Sequence, residues 1–340
     1  MTTSETGGAR QHTISVVIPV YGGERTLRTV LEELVPYTEG FVSPEGRSAV
    51  ISQVVLAHDR GPDRSDSVMR ELAAEMPWVK LVWLSKNFGQ HAATLAGMAS
   101  SGGDWIVTMD EDGQQDPQYI GVLLDAAVNG DAAIVYAKPI NPPPHGPLRN
   151  LASKTAKALL QSIFGSRNAA EFNSFRLILG EIGRSVAAYS GPGVYLDVAL
   201  SWVANRSITA PVRVREEGDR PSGYSYRKLL AHFWRMVLST GTRGLRLVTA
   251  LGALFAVGGV LFAIYLVIAR LAGGGVPEGW TSQMVLLSLG VGAILVSLGI
   301  VAEYVGMAVN MAMGRPPYLI VRDPALSPLG ERPGPGHAGR

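Results

Sequence analysis

The chain has 340 residues, enough for two domains, and it contains no cysteine, which excludes disulfides, thiolate metal sites and cysteine nucleophiles. Its formal net charge of +2 gives no overall basicity that would favour nucleic acid as a partner. The mean hydropathy of +0.17 is high for a soluble protein, and the apolar excess lies near the C-terminal end.

The first part of the chain alternates between predicted strands and predicted helices. Residues 1–12 are polar, carry no cleavable signal peptide and are expected to be disordered. Apolar runs then predict buried strands, and a segment with helical spacing follows each of the first three. The predicted strands are Thr13–Val20, Ser52–Ala57, Val79–Leu84 and Asp104–Met109, and the predicted helices are Glu24–Leu34, Ser65–Glu75 and His91–Ser100. This alternation predicts an α/β domain with a parallel, Rossmann-like sheet.

Polar side chains follow each of these predicted strands. They are Glu24, Asp59, Lys86 and the pair Asp110 and Asp112. Because the carboxyl ends of parallel strands meet at one edge of the sheet, we expect the five side chains to converge on a binding site. Neither a glycine-rich dinucleotide fingerprint nor a P-loop is present, which disfavours dinucleotide enzymes and P-loop NTPases.

The stretch Asp104–Pro117 carries most of the chemical information. An apolar strand ends in Asp110 and Asp112, with Gln114 close behind. Such hard oxygen donors suit Mg²⁺ or Mn²⁺ shared with substrate phosphates, although an acidic surface turn is the plain alternative. An EF-hand is excluded because its loop requires glycine where Gln115 stands.

The chain between residues 117 and 225 continues the same domain. A helix over Pro117–Val128 is followed by predicted strands at Ala132–Ala137, Phe172–Leu179 and Ile208–Val214 and by a helix over Gly191–Ala204. Asp197 in that helix is read either as a helix-terminal charge or as a functional carboxylate. The amphipathic segment Asn150–Phe164 is either a surface helix or a helix in the membrane interface.

Two apolar runs at the C-terminal end predict a membrane hairpin. Leu247–Ala269 and Met284–Ala302 contain no charged residue and are long enough to cross a bilayer, so helices are predicted over about 247–269 and 284–306. A basic juxtamembrane helix is predicted before them over 226–246. Arginine and lysine flank the outer ends of the hairpin, which places residues 13–225 and the tail 314–340 in the cytoplasm.

The ordered set of motifs resembles the family 2 glycosyltransferases of the GT-A fold, and most closely the membrane-anchored polyprenyl-phosphate glycosyltransferases related to dolichol-phosphate mannose synthase. The matching segments are Val16–Glu24, His58–Asp63, Lys86–Gln90, the DxDxQ-like Asp110–Pro117, Ser174–Arg176, Glu303–Tyr304 and Arg315–Val321. The resemblance covers about residues 14–322. It implies a GT-A catalytic domain over 13–225 and two membrane helices within 247–313.

The resemblance further implies inverting transfer of a hexose from a nucleotide sugar, UDP-glucose or GDP-mannose, to a polyprenyl phosphate at the cytoplasmic membrane face. It assigns the metal to Asp110, Asp112 and Gln114. It assigns the nucleotide sugar to Pro19, Tyr21, Glu24, Asp59, Lys86, Asp110, Glu111 and Asp112, with Glu111 pointing away from the metal. The residues assigned to the reacting centre are Asp112, Asp197, Arg176 and Lys86, and those assigned to the acceptor phosphate are Arg176, Arg215, Arg220 and Ser222.

The chain departs from the family pattern in two places. His58 stands where the family has the first aspartate of its nucleotide loop, and this substitution bears on base recognition. The loop from Arg215 to Tyr224 has two extra residues between its glycine and its serine. The pattern therefore leaves open whether Arg215 or Arg220 meets the phosphate.

Two other functions fit parts of the pattern. A processive polysaccharide synthase shares the fold, but its Gln-x-x-Arg-Trp motif and additional spans are missing from the sequence. A catalytically inactive membrane scaffold would not need the set Asp110, Asp112 and Gln114. Glu303, in the second predicted span, is expected to pair with a basic residue or a neighbouring subunit, which would allow a homo-oligomer.

Overall fold

The computed structural model describes residues 10–141, 172–193, 195–215 and 279–328, together with scattered residues between 252 and 272. These residues fall into two compact units. The first contains the described residues from 10 to 215 and from 316 to 328, and the second contains those from 252 to 315. The predicted helices Asn150–Phe164 and Tyr226–Val237 lie outside the described residues, as do Arg220 and Ser222.

A mixed sheet of nine strands forms the centre of the first unit. Its strands are β1 (His12–Val20), β2 (Phe41–Val42), β3 (Ser48–His58), β4 (Val79–Leu84), β5 (Trp105–Thr108), β6 (Ile134–Pro139), β7 (Arg176–Leu179), β8 (Ser207–Val212) and β9 (Ile320–Val321). The order is β8-β6-β7-β5-β1-β3-β4-β9, and β2 pairs with β3 as a short hairpin. Strands β5, β1, β3 and β4 are parallel, while β7 runs antiparallel to β5 and β6.

Helices cover both faces of this sheet. They are α1 (Leu27–Thr38), α2 (Ser65–Glu75), α3 (Gln90–Ala99), α4 (Ile120–Asn129), α5 (Gly180–Tyr189) and α6 (Leu196–Val203). Apolar side chains of α1, α2 and α4 pack on one face, and those of α3, α5 and α6 pack on the other. Along β1, Val16 and Ile18 face the first layer and Val17 faces the second, all fully buried. A central strand buried on both faces reads as a continuous apolar run, which is why the sequence identifies it.

The predicted α/β architecture is confirmed, with corrections at some element bounds. Helix α2 and strand β4 begin and end where the sequence predicts. Strand β7 begins at Arg176 instead of Phe172, because Asn173 and Ser174 leave the ladder and make side-chain hydrogen bonds. Helix α5 lies in a stretch for which the sequence analysis predicted no helix.

The second unit contains the long helix α7 (Trp280–Ala312), which includes the second predicted membrane helix. Its segment Gly290–Ala312 is long and apolar enough to cross a membrane, judged by length and composition, and it is the one such helix in the described part of the chain. Exposed Ile294 and Leu295 are examples of its apolar surface. The first predicted span falls where only scattered residues are described, so the two-span hairpin stays a prediction.

Candidate active site

The loops after β1, β3, β4 and β5 lie along one edge of the sheet because these four strands are parallel. This edge carries the predicted polar residues, as expected for the carboxyl ends of strands in an open α/β sheet. Gly61 lies so close to the β1 loop that a Cβ atom there would come within 1.7 Å of the Tyr21 carbonyl oxygen. Only glycine therefore permits this approach of the β3 loop to the β1 loop.

Asp110 follows β5 and is held by a network of side chains. Its Oδ1 accepts a hydrogen bond from Gln90 Nε2 at 2.7 Å, and its Oδ2 accepts from Gln115 Nε2 at 2.7 Å. The Ser174 hydroxyl also donates to Oδ2, and the Asp110 amide donates to Gln115 Oε1 at 2.9 Å. Burial raises the pKa of Asp110 above its ordinary value, and the nearby charge of Asp112 adds to this rise, while Ser174 and Arg176 oppose it. The network fixes the carboxylate in one orientation.

Asp112 differs from Asp110 because it is exposed to solvent. Its Oδ1 accepts the backbone amide of Gln114 at 3.0 Å. Gly113 lies between Asp112 and Gln114. Its left-handed φ of +76° turns the chain at the tip of the loop. The loop therefore presents one exposed carboxylate, that of Asp112, beside the half-buried carboxylate of Asp110.

The donor chemistry of this loop fits a divalent cation. Two carboxylates lie close enough for Asp112 to raise the pKa of Asp110, and a cation between such groups would relieve their repulsion. Within the described residues, no cluster of three or more histidine, aspartate or glutamate side chains could hold a metal. The remaining ligands would therefore come from water or from the substrate, as is usual for Mg²⁺ in phosphate-transfer sites.

Glu111 lies between Asp110 and Asp112 and connects the acidic loop, residues Asp110–Pro117, to the loop after β1. Its carboxylate accepts the amide of Tyr21 at 3.0 Å and the amide of Gly22 at 2.9 Å. Burial raises the pKa of Glu111, although the two amide donors act in the opposite direction. The side chain thus spans two loops of the site.

Asp59 connects the loops after β3 and β4. Its Oδ1 accepts the amide of Phe88 at 2.7 Å and its Oδ2 accepts the amide of Gly89 at 2.8 Å, and the residue is 3% exposed. Lys86 lies in the loop so fixed, with its Nζ 5.0 Å from the centre of the Phe88 ring. Both oxygens of Asp59 are engaged by the protein, and its contact with a nucleotide base stays a prediction.

The other residues predicted to line the nucleotide pocket lie on or after β1. Pro19 pairs with Ala57 in the parallel ladder, and Tyr21 is 47% exposed just beyond it. Glu24 donates its backbone amide to Asp63 Oδ2 at 3.0 Å, and its side chain accepts the amide of Arg64 at 3.2 Å. The structure thus brings these residues to the predicted edge, while their contacts with a nucleotide sugar stay predictions.

Arg176 and Asp197 form a buried ion pair beneath the acidic loop. Arg176 is 3% exposed and Asp197 is 7% exposed. Arg176 Nε also donates to Thr108 Oγ1 at 3.0 Å, and the Tyr136 hydroxyl donates to Asp197 at 3.1 Å. Burial raises the pKa of Tyr136 to about 12, so its hydroxyl stays protonated as a donor. A phosphate would reach Arg176 only if Asp197 released it, and the predicted roles of this pair stay predictions.

Arg215 holds the acidic loop to the end of β8. Its guanidinium contacts Glu33 at 2.8 Å and Asp116 at 3.1 Å, and its amide donates to the Gln114 carbonyl at 3.0 Å. An antiparallel bridge between Gln115 and Val214, which follows β8, adds to this attachment. Arg215 is therefore paired with two carboxylates, and its contact with an acceptor phosphate stays a prediction.

Three residues that hold Asp110 are not among the site residues predicted from the sequence. They are Gln90, Gln115 and Ser174, and each lies in a segment that carries the family resemblance: Lys86–Gln90, Asp110–Pro117 and Ser174–Arg176. Gln114 was predicted at the metal, but the neighbouring Gln115 is the glutamine whose side chain binds Asp110. The pattern of carboxylate, glutamine and serine could have indicated a hydrogen-bonded network but not which glutamine turns inward.

Comparisons with known proteins find related glycosyltransferases. Residues 15–183 match Glycosyl transferase family 2. The chain is 30% identical over 312 residues to the undecaprenyl-phosphate 4-deoxy-4-formamido-L-arabinose transferase of Klebsiella pneumoniae subsp. pneumoniae, which covers 91% of this chain and 93% of the relative. The transferase of the same name from Edwardsiella ictaluri is 28% identical over 311 residues, covering 90% of this chain and 93% of the relative.

Solved structures with a similar fold include the glucosyl-3-phosphoglycerate synthase of Mycobacterium tuberculosis in complex with Mn²⁺, uridine diphosphate and phosphoglyceric acid. It is 16% identical, with a TM-score of 0.49, and the alignment covers 68% of this chain and 78% of that chain.

Proposed function

Since this chain belongs to the family 2 polyprenyl-phosphate glycosyltransferases, we propose that it transfers a single sugar from a nucleotide sugar to a polyprenyl phosphate at the cytoplasmic face of the membrane. The observation that carries the proposal is the acidic loop at the carboxyl edge of the sheet, where an exposed Asp112 stands beside the fixed Asp110. The resemblance favours UDP-glucose or GDP-mannose as donor, while the relatives' names add 4-deoxy-4-formamido-L-arabinose as a third sugar to test.

A divalent cation, Mg²⁺ or Mn²⁺, would be held by Asp112 and Asp110, with Gln114 beside them. When bound, it would supply positive charge to the diphosphate that leaves as the sugar–phosphate bond breaks. The protein holds these ligands in position. Gln90, Gln115 and Ser174 orient Asp110, and Glu111 connects the acidic loop to the loop after β1. Preorganised groups of this kind need no rearrangement when charge develops.

The acceptor requires little proton chemistry from the protein. A phosphate monoester has a second pKa of about 6, so a lipid phosphate is largely dianionic at pH 7 and can attack without a strong general base. The residues proposed to bind it are cationic or hydroxylic: Arg176, Arg215, Arg220 and Ser222. Guanidinium groups match phosphate oxygens bidentately, which suits this role.

Lys86 is proposed to contact the donor diphosphate or the sugar. It lies in the loop after β4, which Asp59 fixes through the amides of Phe88 and Gly89. A flexible ammonium on a fixed loop can follow a phosphate group while its backbone stays in place. Asp197 is proposed to orient the acceptor or the sugar, which requires it to separate from Arg176.

The pairing of β9 supports a two-span topology. Strand β9 follows α7 in the chain and pairs with β4 in the sheet that contains β1. Because β8 and β9 belong to one sheet, the chain between them begins and ends on the same side of any membrane. It therefore crosses the membrane an even number of times. If α7 is one crossing, the apolar run Leu247–Ala269 can supply the second. The arginines outside the hairpin favour the cytoplasmic side.

One assay tests the proposal. The purified full-length protein is incubated in detergent with undecaprenyl phosphate, Mg²⁺ or Mn²⁺, and a panel containing UDP-glucose, GDP-mannose and nucleotide-linked 4-deoxy-4-formamido-L-arabinose. We expect a lipid-phosphate sugar with one of these donors. Failure to form a glycolipid with any donor in an extended nucleotide-sugar panel would contradict the transferase proposal.

The substitution Asp112→Asn tests the acidic loop in the same assay. Loss of the exposed carboxylate is expected to lower kcat by about 100-fold or more, because a charged group that stabilises the leaving group is removed. Asp131→Asn is the matched control, since Asp131 is exposed and lies in the turn after α4. Transfer by Asp112→Asn at the parental rate would show that this aspartate is not a metal ligand.

A further inference from the structure

The chain after the membrane helix returns to the catalytic sheet as an edge strand. Strand β9 pairs antiparallel with β4, with Val321 opposite Trp83 and Ile320 opposite Leu84. The ladder extends beyond β4, because the Ser85 amide donates to the Leu319 carbonyl at 3.0 Å. The tail is therefore hydrogen-bonded to the first residue of the loop that carries Lys86.

Side chains fix the returning segment at both of its ends. Asp323 makes a two-point ion pair with Arg70 of α2, in which Nε and Nη2 each donate at 2.8 Å. The side chains of the pair are 25% and 17% exposed, and the Arg70 guanidinium also lies 5.0 Å from the Trp83 ring. At the other end, the Tyr318 hydroxyl donates to the Ala187 carbonyl of α5 at 3.1 Å. A bidentate arginine–carboxylate pair is among the stronger polar contacts of a protein.

The Lys86 loop is consequently held from two sides. Asp59 binds the amides of Phe88 and Gly89 at its far end, and Leu319 binds the amide of Ser85 at its near end. Arg60 also donates from Nε to the Leu84 carbonyl at 3.0 Å, just before the loop begins. Lys86 lies between these attachments, so its backbone position depends on the tail as well as on Asp59.

We propose that residues 318–323 act as a positioning segment for the loop 85–89, so that the chain following the membrane helix completes the donor site. The ordering of the loop stands on these contacts alone, and its consequence for donor binding rests on the proposed function. The segment contributes no reacting group. It acts through Lys86, and its loss should weaken use of the donor more than use of the lipid acceptor.

Hydrogen exchange followed by mass spectrometry tests the ordering without any substrate. In the full-length protein in detergent, Asp323→Asn is expected to speed exchange about tenfold both in the tail and in peptides covering 84–89, since a charge-assisted contact is lost. Asp66→Asn is the matched control. Asp66 is the other partner of Arg70, at 3.0 Å and within the same helix, and its loss should leave the 84–89 exchange unchanged.

Tyr318→Phe provides a milder second variant, because it removes one hydroxyl and retains the ring. The double variant of Tyr318→Phe and Asp323→Asn is expected to exchange fastest over 84–89. Unchanged exchange over 84–89 in the double variant overturns the proposal.

A kinetic measurement then separates positioning from general loosening. With the donor found in the transfer assay, Asp323→Asn is expected to raise the KM for the nucleotide sugar about tenfold and to leave the KM for undecaprenyl phosphate within twofold. Equal increases in both KM values would contradict a role confined to the donor site. If no donor supports transfer but exchange over 84–89 responds, the proposed function fails while the positioning of the loop stands.

Discussion

At the scale of single residues, the two aspartates of the acidic loop differ: one is held in a fixed orientation and the other is exposed to solvent. Asp110 is half-buried and fixed by three side-chain donors, whereas Asp112 is exposed beside it. Glu111 between them turns to the β1 loop and accepts two backbone amides. Three successive acidic residues therefore differ in burial and in hydrogen-bond partners. The sequence does not reveal this difference, because it shows only that all three carry a carboxylate.

Removal of the Glu111 carboxylate should impair catalysis through the loop geometry. Glu111→Ala leaves the amides of Tyr21 and Gly22 without their acceptor, and hydrogen bonds to a charged group contribute about 1.5–3 kcal/mol each. We expect kcat/KM for the donor to fall about 10-fold to 100-fold. Glu39→Ala, at the exposed end of α1, serves as the control. Activity of Glu111→Ala within twofold of the parent would show that the two loops hold their positions without this contact.

His58 should make stability depend on pH. It is 4% exposed, packs edge-to-face on Trp83 at 5.2 Å, and its ring nitrogens have no hydrogen-bond partner among the described residues. Burial lowers the pKa of His58; Asp66 and Asp63 oppose the shift, and Arg60 and Arg70 add to it. The unfolded chain, with a histidine pKa of about 6.5, then binds a proton at a higher pH than the folded protein does.

Stability is therefore expected to be fully present above about pH 6.5 and to fall as the pH drops below it. The thermal midpoint of the full-length protein in detergent, measured between pH 7.5 and 5, should decline. In His58→Phe, which keeps an aromatic ring against Trp83, the decline over this range should be smaller. An identical pH profile in the two proteins would mean that His58 does not contribute to the decline.

At the scale of elements, Arg215 connects the chain after β8 to the acidic loop through Asp116 and to helix α1 through Glu33. If it acts through these partners and the acidic loop binds the metal as proposed, Arg215→Ala should raise the Mg²⁺ or Mn²⁺ concentration needed for half-maximal activity about threefold to tenfold, because the acidic loop loses an attachment. Glu33→Ala should shift the same quantity in the same direction. Arg213→Ala, which removes an exposed arginine two residues earlier, is the control.

The predicted contact of Arg215 with the acceptor phosphate gives a different result in this experiment. In that case Arg215→Ala raises the KM for undecaprenyl phosphate, and Glu33→Ala does not. A change in acceptor KM with an unchanged metal requirement would therefore assign Arg215 to the lipid phosphate.

The sequence predicts elements well where a long apolar run is buried on both faces, as in β1. It does not predict β9, because two residues are too short for any periodicity and the strand exists only through its pairing with β4. The choice between Gln114 and Gln115 has a similar cause. The side chain of Gln115 bonds Ser174, which is 59 residues away in the chain, as well as Asp110, and such a tertiary contact is not visible in the sequence pattern.

At the scale of the whole molecule, the sequence identifies the family through motifs that are scattered along the chain, and four of them lie in the loops after β1, β3, β4 and β5 at one sheet edge. The Arg176–Asp197 pair shows the limit of such identification, because both residue types suit a phosphate site yet the fold buries them against each other. Burial and pairing depend on long-range packing between β7 and α6. Motifs therefore locate the site, while the state of each side chain requires the structure.

The position of β9 also has a consequence for the order in which the protein is made. The sheet cannot be completed until the ribosome has passed the apolar helix α7, because the last strand follows it. Until then, the β4 edge presents unpaired backbone groups, which makes a nascent chain prone to wrong pairing. The same holds for any catalytic domain that is cut off before α7. Such a domain would retain the acidic loop but expose this edge, and we expect it to aggregate.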